Sequence, residues 1–321
     1  MKTDPPTKEI RYQCLPVIRV YKDGTVERLA DSGYAPPGPD PSTRTTSRDV
    51  VIDPDVPVRA RLYLPESANS PSSAKLPILL YFHGGGFCAE SAFSRLYHPF
   101  LCSLSARARV LVVSLDYRLA PESPVPAAYD DCLRGLRWAL AGSDGWISAH
   151  GDAARVFLAG DSAGGNIAHS VALRAGEAGL ALEGVALLHP YFWGADRMGS
   201  ELATGALLKP DEVDALWSFV CGGGAHRNDD PRVNPLVVGD EWTGRMKCRR
   251  MLVTGAGKDI LRDRARAYCD GLRESEWDGT IEYFESEGED HVFFLFNPQC
   301  QKALELMDML VAFFKSGQEC N

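Results

Sequence analysis

The sequence predicts an α/β fold, a central and mostly parallel sheet with helices on both faces. Short apolar runs of strand type alternate with helical patterns over most of the chain. Several of those runs are apolar throughout, as strands buried on both faces are. The 321 residues suffice for one large domain with a substantial core, so residues 1–321 are read as a single unit.

Val58–Tyr63 alternates between apolar and polar positions, which suits an early antiparallel strand. Leu76–His83, Val110–Leu115, Val156–Ala159, Val185–Leu188, Met251–Thr254 and Ile281–Phe284 supply the remaining strands. Helical patterns occupy about Ser94–Arg107, Ala127–Ala141, Gly164–Ala175, Arg262–Glu274 and Gln301–Phe314. Two stretches break the alternation: about 1–47, ending in the proline-rich Ala35-Pro-Pro-Gly-Pro-Asp-Pro41, and about 191–247.

A net charge of -9 gives no electrostatic footprint for nucleic acid and would be repelled by anionic membranes. No apolar stretch approaches the length of a membrane span, and the first residues lack signal- or transit-peptide character. Nine cysteines, an odd number without zinc-type spacing, fit a reducing compartment, and the cytoplasm is the expected location.

The chemistry concentrates at strand ends. Arg155-Val-Phe-Leu-Ala-Gly-Asp-Ser162-Ala-Gly-Gly-Asn166 is an apolar run that breaks at Gly160-Asp-Ser-Ala-Gly164 directly into a helix. That is the layout of a nucleophile elbow, which exposes a serine hydroxyl on a tight strand-to-helix turn. Upstream, the Leu76–His83 run enters Gly84-Gly85-Gly86. Glycines there let backbone N–H groups approach a developing oxyanion, with the N–H of Ala163 as a further donor. Gly222-Gly223-Gly224 follows no strand and reads as a flexible connection.

A serine nucleophile needs a base and a carboxylate to orient it, in the chain order serine, acid, histidine. Four histidines follow Ser162. His169 lies in the helix after the elbow, His189 ends a strand too early in the order, and His226 sits in the glycine-rich connection. His291 follows the last strand on a short acidic loop and is the expected base. Asp259, just past the end of another apolar strand, is favoured as the acid over Asp263, Glu289 and Asp290. Phe87 and the segment Asp116–Glu122 are expected to brace the glycine loop, and Cys88 to be a small packed residue. Tyr191, Phe192, Trp193 and Trp217 suit either a pocket wall or a lid core.

The set His83-Gly-Gly-Gly-Phe87, Asp116-Tyr-Arg-Leu-Ala-Pro-Glu122, Gly160-Asp-Ser-Ala-Gly-Gly-Asn166 and Gly288-Glu-Asp-His291 resembles the hormone-sensitive-lipase-like branch of the α/β-hydrolases, and within it the plant carboxylesterases. Val17–Arg28, His189-Pro-Tyr-Phe-Trp-Gly194 and Asp229-Asp-Pro-Arg-Val-Asn-Pro235 extend the likeness over most of the chain. The resemblance implies an α/β-hydrolase fold with a triad of Ser162, Asp259 and His291 and an oxyanion hole from Gly84, Gly85, Gly86 and Ala163. It also implies that about 1–47 and 191–247 form a lid. The implied activity is cofactor-free hydrolysis of small, short-acyl carboxylic esters, with no metal; charge adds the expectation of no nucleic-acid or membrane partner, and the sequence leaves monomer and homodimer both open. Two similar groups do other work. Gibberellin receptors lack the histidine that this chain keeps, and some 2-hydroxyisoflavanone dehydratases carry threonine where this chain has Ser162.

Overall fold

Apolar runs that no single face can cover are buried from two sides here, and the sheet that results orders every other element. The computed structural model describes residues 8–14, 16–69, 74–202, 207–224 and 227–316, so His226 lies outside the described residues. Twelve strands run in chain order: β1 (Ile10–Cys14), β2 (Ile18–Tyr21), β3 (Val26–Arg28), β4 (Pro39–Asp40), β5 (Thr45–Asp53), β6 (Val58–Pro65), β7 (Leu76–Phe82), β8 (Leu111–Asp116), β9 (Gly151–Asp161), β10 (Leu182–Leu188), β11 (Cys248–Ala256) and β12 (Thr280–Ser286). The helices are α1 (Tyr97–Ala108), α2 (Pro126–Leu140), α3 (Gly145–His150), α4 (Ala163–Glu177), α5 (Pro210–Val220), α6 (Arg262–Glu274), α7 (Phe293–Phe296) and α8 (Gln301–Lys315).

Nine strands form one sheet in the order β12-β11-β10-β9-β7-β8-β6-β5-β4. From β12 to β8 every pairing is parallel, and β6, β5 and β4 continue antiparallel. Successive residues of β7 serve opposite faces. Ile78, Leu80 and Phe82 join a core that also holds Ala128, Tyr129 and Leu136 of α2, Ile167 and Val171 of α4, and Tyr268 and Leu272 of α6. Leu79 and Tyr81 join the opposite core with Phe100, Leu101 and Leu104 of α1 and Leu306, Leu310 and Phe314 of α8.

The chain leaves β7 for β8 on one side and later enters β9 on the other, which makes a topological switch point between β7 and β9. In such sheets ligands bind outside the carboxyl ends of the strands at that crevice. The glycine loop follows β7 and the elbow follows β9, so topology alone brings them together.

The N-terminal segment departs from the expected boundary. β1, β2 and β3 form a separate antiparallel sheet, but β4 and β5 belong to the edge of the main sheet. β5 reads Thr-Thr-Ser-Arg-Asp-Val-Val-Ile-Asp and is largely half-buried or exposed, so an edge strand with little apolar contrast escaped the hydrophobic pattern. Within the second irregular stretch, α5 packs on β1, and Phe219 stacks on Tyr12 at 4.0 Å and 16°. The two irregular segments therefore touch over the carboxyl edge of the sheet.

Candidate active site

Gly160 and Gly164 hold the elbow tight against β7. A Cβ at Gly160 would lie 2.3 Å from the Gly164 carbonyl oxygen, and one at Gly164 would lie 2.0 Å from that of Phe82. Between them Ser162 takes φ 53° and ψ −119°, a conformation that costs a non-glycine residue on the order of 1–3 kcal/mol. Backbone bonds hold it there: Ser162 N–H donates to Leu188 O at 2.9 Å, and Tyr191 N–H donates to Ser162 O at 2.8 Å.

Ser162 Oγ lies 2.8 Å from His291 Nε2, and His291 Nδ1 lies 2.7 Å from Asp259 Oδ2. Asp259 is in turn held by Leu261 N–H on Oδ1 at 2.9 Å. Burial alone would depress the imidazole, but the charge and hydrogen bond of Asp259 outweigh it, with help from Asp161 and Asp290, and the pKa of His291 is raised. Burial likewise opposes ionisation of Asp259, yet His291, His189 and the Leu261 N–H hold its pKa below the usual value.

Two of the other acids considered for this role are engaged elsewhere. Asp263 Oδ2 accepts from Ser200 N–H, and Asp290 accepts from its neighbour His291 N–H at 2.6 Å and from Leu207 N–H at 2.9 Å. His169 is packed among Phe192, Trp242 and Tyr268, where burial holds its pKa down to about 3.

The glycine loop divides its labour. Gly84, expected among the oxyanion donors, has its N–H engaged instead, donating to Tyr97 Oη at 2.7 Å and to Asp161 Oδ1 at 3.1 Å. A Cβ there would sit 2.4 Å from Asp161 Oδ2, so the position is a brace. Among the described residues the N–H groups of Gly85, Gly86 and Ala163 have no protein acceptor. Gly85 must be glycine for φ +98° and because a Cβ would meet the Ala89 carbonyl oxygen at 2.3 Å.

Asp161 is the carboxylate that sequence reasoning missed. It is fully buried, and Tyr81 and Tyr97 hydroxyls donate to it at 2.8 and 2.9 Å. Burial pushes its pKa up to about 6 against those bonds. The signal was its place between elbow and glycine loop, which only the parallel β7–β9 pairing reveals. His189, too early in the chain order for the expected base, has its Nδ1 engaged elsewhere. It stands beside the Ser162–His291–Asp259 relay: its Nδ1 accepts from Val292 N–H at 2.9 Å and lies 3.9 Å from Asp259 Oδ2. Burial, ahead of neighbouring charges, holds its pKa down to about 3, so the ring is a neutral acceptor at neutral pH. Val292 needs that anchor, because it sits in the left-handed region at φ 46°.

The segment after β8 braces the glycine loop. Tyr117 Oη donates to His83 O at 2.7 Å and its ring stacks on His83 at 4.3 Å. Ala120 N–H donates to Phe87 O, and Glu122 pairs with Arg28, whose Nε donates to Cys88 O at 2.7 Å. Cys88 is buried, and burial pushes its thiol up, so it packs rather than reacts.

Ser162, Gly85, Gly86 and His291 open into a cavity of about 350 Å³. Its far walls come from the N-terminal segment (Val17, Leu29) and the α5 region (Leu208, Leu216). Tyr191 also lines it, while Phe192, Trp193 and Trp217 are buried in the core instead. His189, Asp259 and His291 are the one group of possible metal ligands among the described residues. Both Nδ1 atoms are occupied by hydrogen bonds and all three side chains are closed off, which suits an orienting network rather than a cation site.

Comparison with known proteins agrees with this architecture. Residues 79–295 match the family model described as the alpha/beta hydrolase fold. The chain is similar to probable carboxylesterase 2 of Arabidopsis thaliana, 41% identical over 95% of this chain and 96% of that protein. It is equally similar to a 2-hydroxyisoflavanone dehydratase of Glycyrrhiza echinata, 41% identical over 96% and 97%. A chloroplastic tuliposide A-converting enzyme of Tulipa gesneriana is 42% identical over 96% of this chain and 79% of its own length. Among solved structures, an esterase of the archaeon Pyrobaculum calidifontis superposes with a TM-score of 0.71 at 27% identity, covering 85% of this chain and 86% of that one. Fold, sheet order and full-length relatives concur: this chain belongs to the α/β-hydrolase family, in its plant carboxylesterase-like group.

Proposed function

We propose that the protein is a serine carboxylesterase that hydrolyses small carboxylic esters through an acyl-enzyme on Ser162. The observation that carries this reading is the unbroken relay from Ser162 Oγ through His291 to Asp259, opening into a cavity beside unpaired backbone donors. His291 Nε2 takes the hydroxyl proton as Oγ attacks the ester carbonyl. Gly85, Gly86 and Ala163 N–H groups receive the oxyanion, at the start of α4 where the helix dipole also favours negative charge. The tetrahedral intermediate collapses, His291 returns the proton to the departing alcohol, and water repeats the sequence on the acyl-serine. Asp259 stays ionised throughout and steadies the imidazolium. Short acyl groups suit a cavity of about 350 Å³.

One second reading has an observation behind it, the full-length likeness to a dehydratase. In that chemistry His291 would remove a carbon-bound proton and no acyl-serine would form. For location, no described helix is long and apolar enough to cross a membrane. Eight cysteines among the described residues are free thiols, which fits a reducing compartment such as the cytoplasm.

Hydrolysis of a p-nitrophenyl acyl series by wild type and Ser162→Ala tests the proposal. Turnover greatest for short chains, with a burst of nitrophenol, and a loss of at least about 10³-fold in the variant is expected. A folded wild type that releases no nitrophenol from any chain would overturn it. An unsaturated product formed without a burst would establish the elimination reading.

A further inference from the structure

Apart from the imidazole of His291, the ionisable lining of the cavity is acidic. Asp31 and Glu90 line it, as does Asp161, whose oxygens accept from Tyr81, Tyr97 and Gly84, whereas among the described residues no lysine or arginine does. Arg28, the nearest candidate in sequence, is turned to Cys88, Ala120 and Glu122. Hydroxyl donors are scarce as well. Ser32 donates to Glu90 Oε2 at 2.9 Å while accepting from Leu96 N–H, and Tyr97 donates to Asp161. Tyr191 Oη, buried and without a protein partner, remains available but carries no charge.

Glu90 sits four residues past Gly86 at φ +64°, so the oxyanion turn itself delivers this carboxylate to the wall. Asp31 lies exposed beside it, where the N-terminal segment closes the cavity. A ligand group arriving there meets acceptors only. A second carboxylate or other anion on the substrate would be stripped of water in a mostly apolar space and set against like charge, with nothing to pair it.

We infer that the site takes esters that are uncharged or cationic away from the scissile carbonyl, bearing hydroxyl or ammonium donors toward Glu90, and rejects esters that carry an anion. This rests on the esterase reading of the same site.

The test uses p-nitrophenyl hexanoates ending in methyl, hydroxyl, trimethylammonium or sulfonate, and a second set with those groups on the alcohol side of a butanoate. In at least one set kcat/KM for the sulfonate is expected to fall at least about tenfold below that for the hydroxyl compound. The isosteric Glu90→Gln should narrow that gap several-fold, and Asp31→Asn should narrow it less. Sulfonates turned over within about twofold of the hydroxyl esters in both sets would overturn the inference. So would a gap unchanged in the double variant. If the methyl esters themselves are not hydrolysed, it is the esterase reading that fails.

Discussion

The two sides of the cavity are built by different means. On the sheet side, Ser162, Gly84 and His291 each follow the carboxyl end of a strand, and hydrogen bonds to backbone or buried side chains fix each of them. On the opposite side, Val17, Leu29 and Leu216 present apolar surface, and the two segments meet through the Tyr12–Phe219 stack. The charged clasp that ties the N-terminal sheet to the glycine loop is Arg28 with Glu122 and Cys88 O. Directional bonds set the reacting atoms, and packing sets the shape around them. Changes on the first side should therefore reach kcat, and changes on the second should reach KM and acyl preference.

The strongest attempt to break that division is Asp259→Asn, which keeps volume and removes the charge that orients His291. A fall in kcat of about 10³–10⁴-fold is expected from stopped or steady-state assays. The pH profile carries a second readout. His291 must be neutral to act, so activity rises as pH climbs through its raised pKa, which puts the acid limb above 6.5. Removing the Asp259 charge should move that limb to lower pH.

Gly84→Ala comes next. A methyl 2.4 Å from Asp161 Oδ2 forces the brace apart, and the loop carrying Gly85 and Gly86 should shift with it. Loss of kcat by about 10²-fold, the effect of misplacing an oxyanion donor, is expected alongside a lower melting temperature. His189 sharpens the comparison because it acts only through another residue. His189→Leu leaves Val292 N–H without an acceptor and should lower kcat by about tenfold, whereas His189→Asn can supply an acceptor near Nδ1 and should restore most of it. Equal damage from both would mean the ring merely fills space.

The smallest effects belong to the apolar far wall. Tyr12→Ala removes the stack on Phe219 and should cost about 1 kcal/mol of stability beyond its buried area. It should raise KM a few-fold and leave kcat within about twofold, as loss of uniform binding does. A large kcat effect there would show that the two sides are not separable.

The same division decided what could be read from the sequence. Parallel strands buried on both faces announce themselves as apolar runs, and α6 occupies the span that its pattern predicts, Arg262–Glu274. The serine, its glycines and the late histidine stand at strand ends, so motif and order located them. β5 was missed because half-exposed edge strands lack apolar contrast. α5 had signals that went unused, with Pro210 at its first turn, Asp211 and Glu212 behind it, and buried Val213, Leu216, Trp217 and Val220 at helical spacing. Asp161 and His189 were illegible for another reason. Their roles depend on which strands are neighbours, and pairing partners are not written in local periodicity.

Asn166, the last residue of the elbow motif and one turn into α4, ties distant parts of the chain together. Its amide nitrogen donates to the carbonyls of both Tyr191 and Arg232, while Tyr129 Oη donates to its oxygen. Two points some forty residues apart in the chain are thus moored to one side chain on the nucleophile's own helix. Between those moorings Trp193 and Trp217 are rooted in the core, whereas Leu208 and Leu216 face the cavity. Substitutions at those two leucines can therefore reshape the space offered to an ester while the serine keeps its aim.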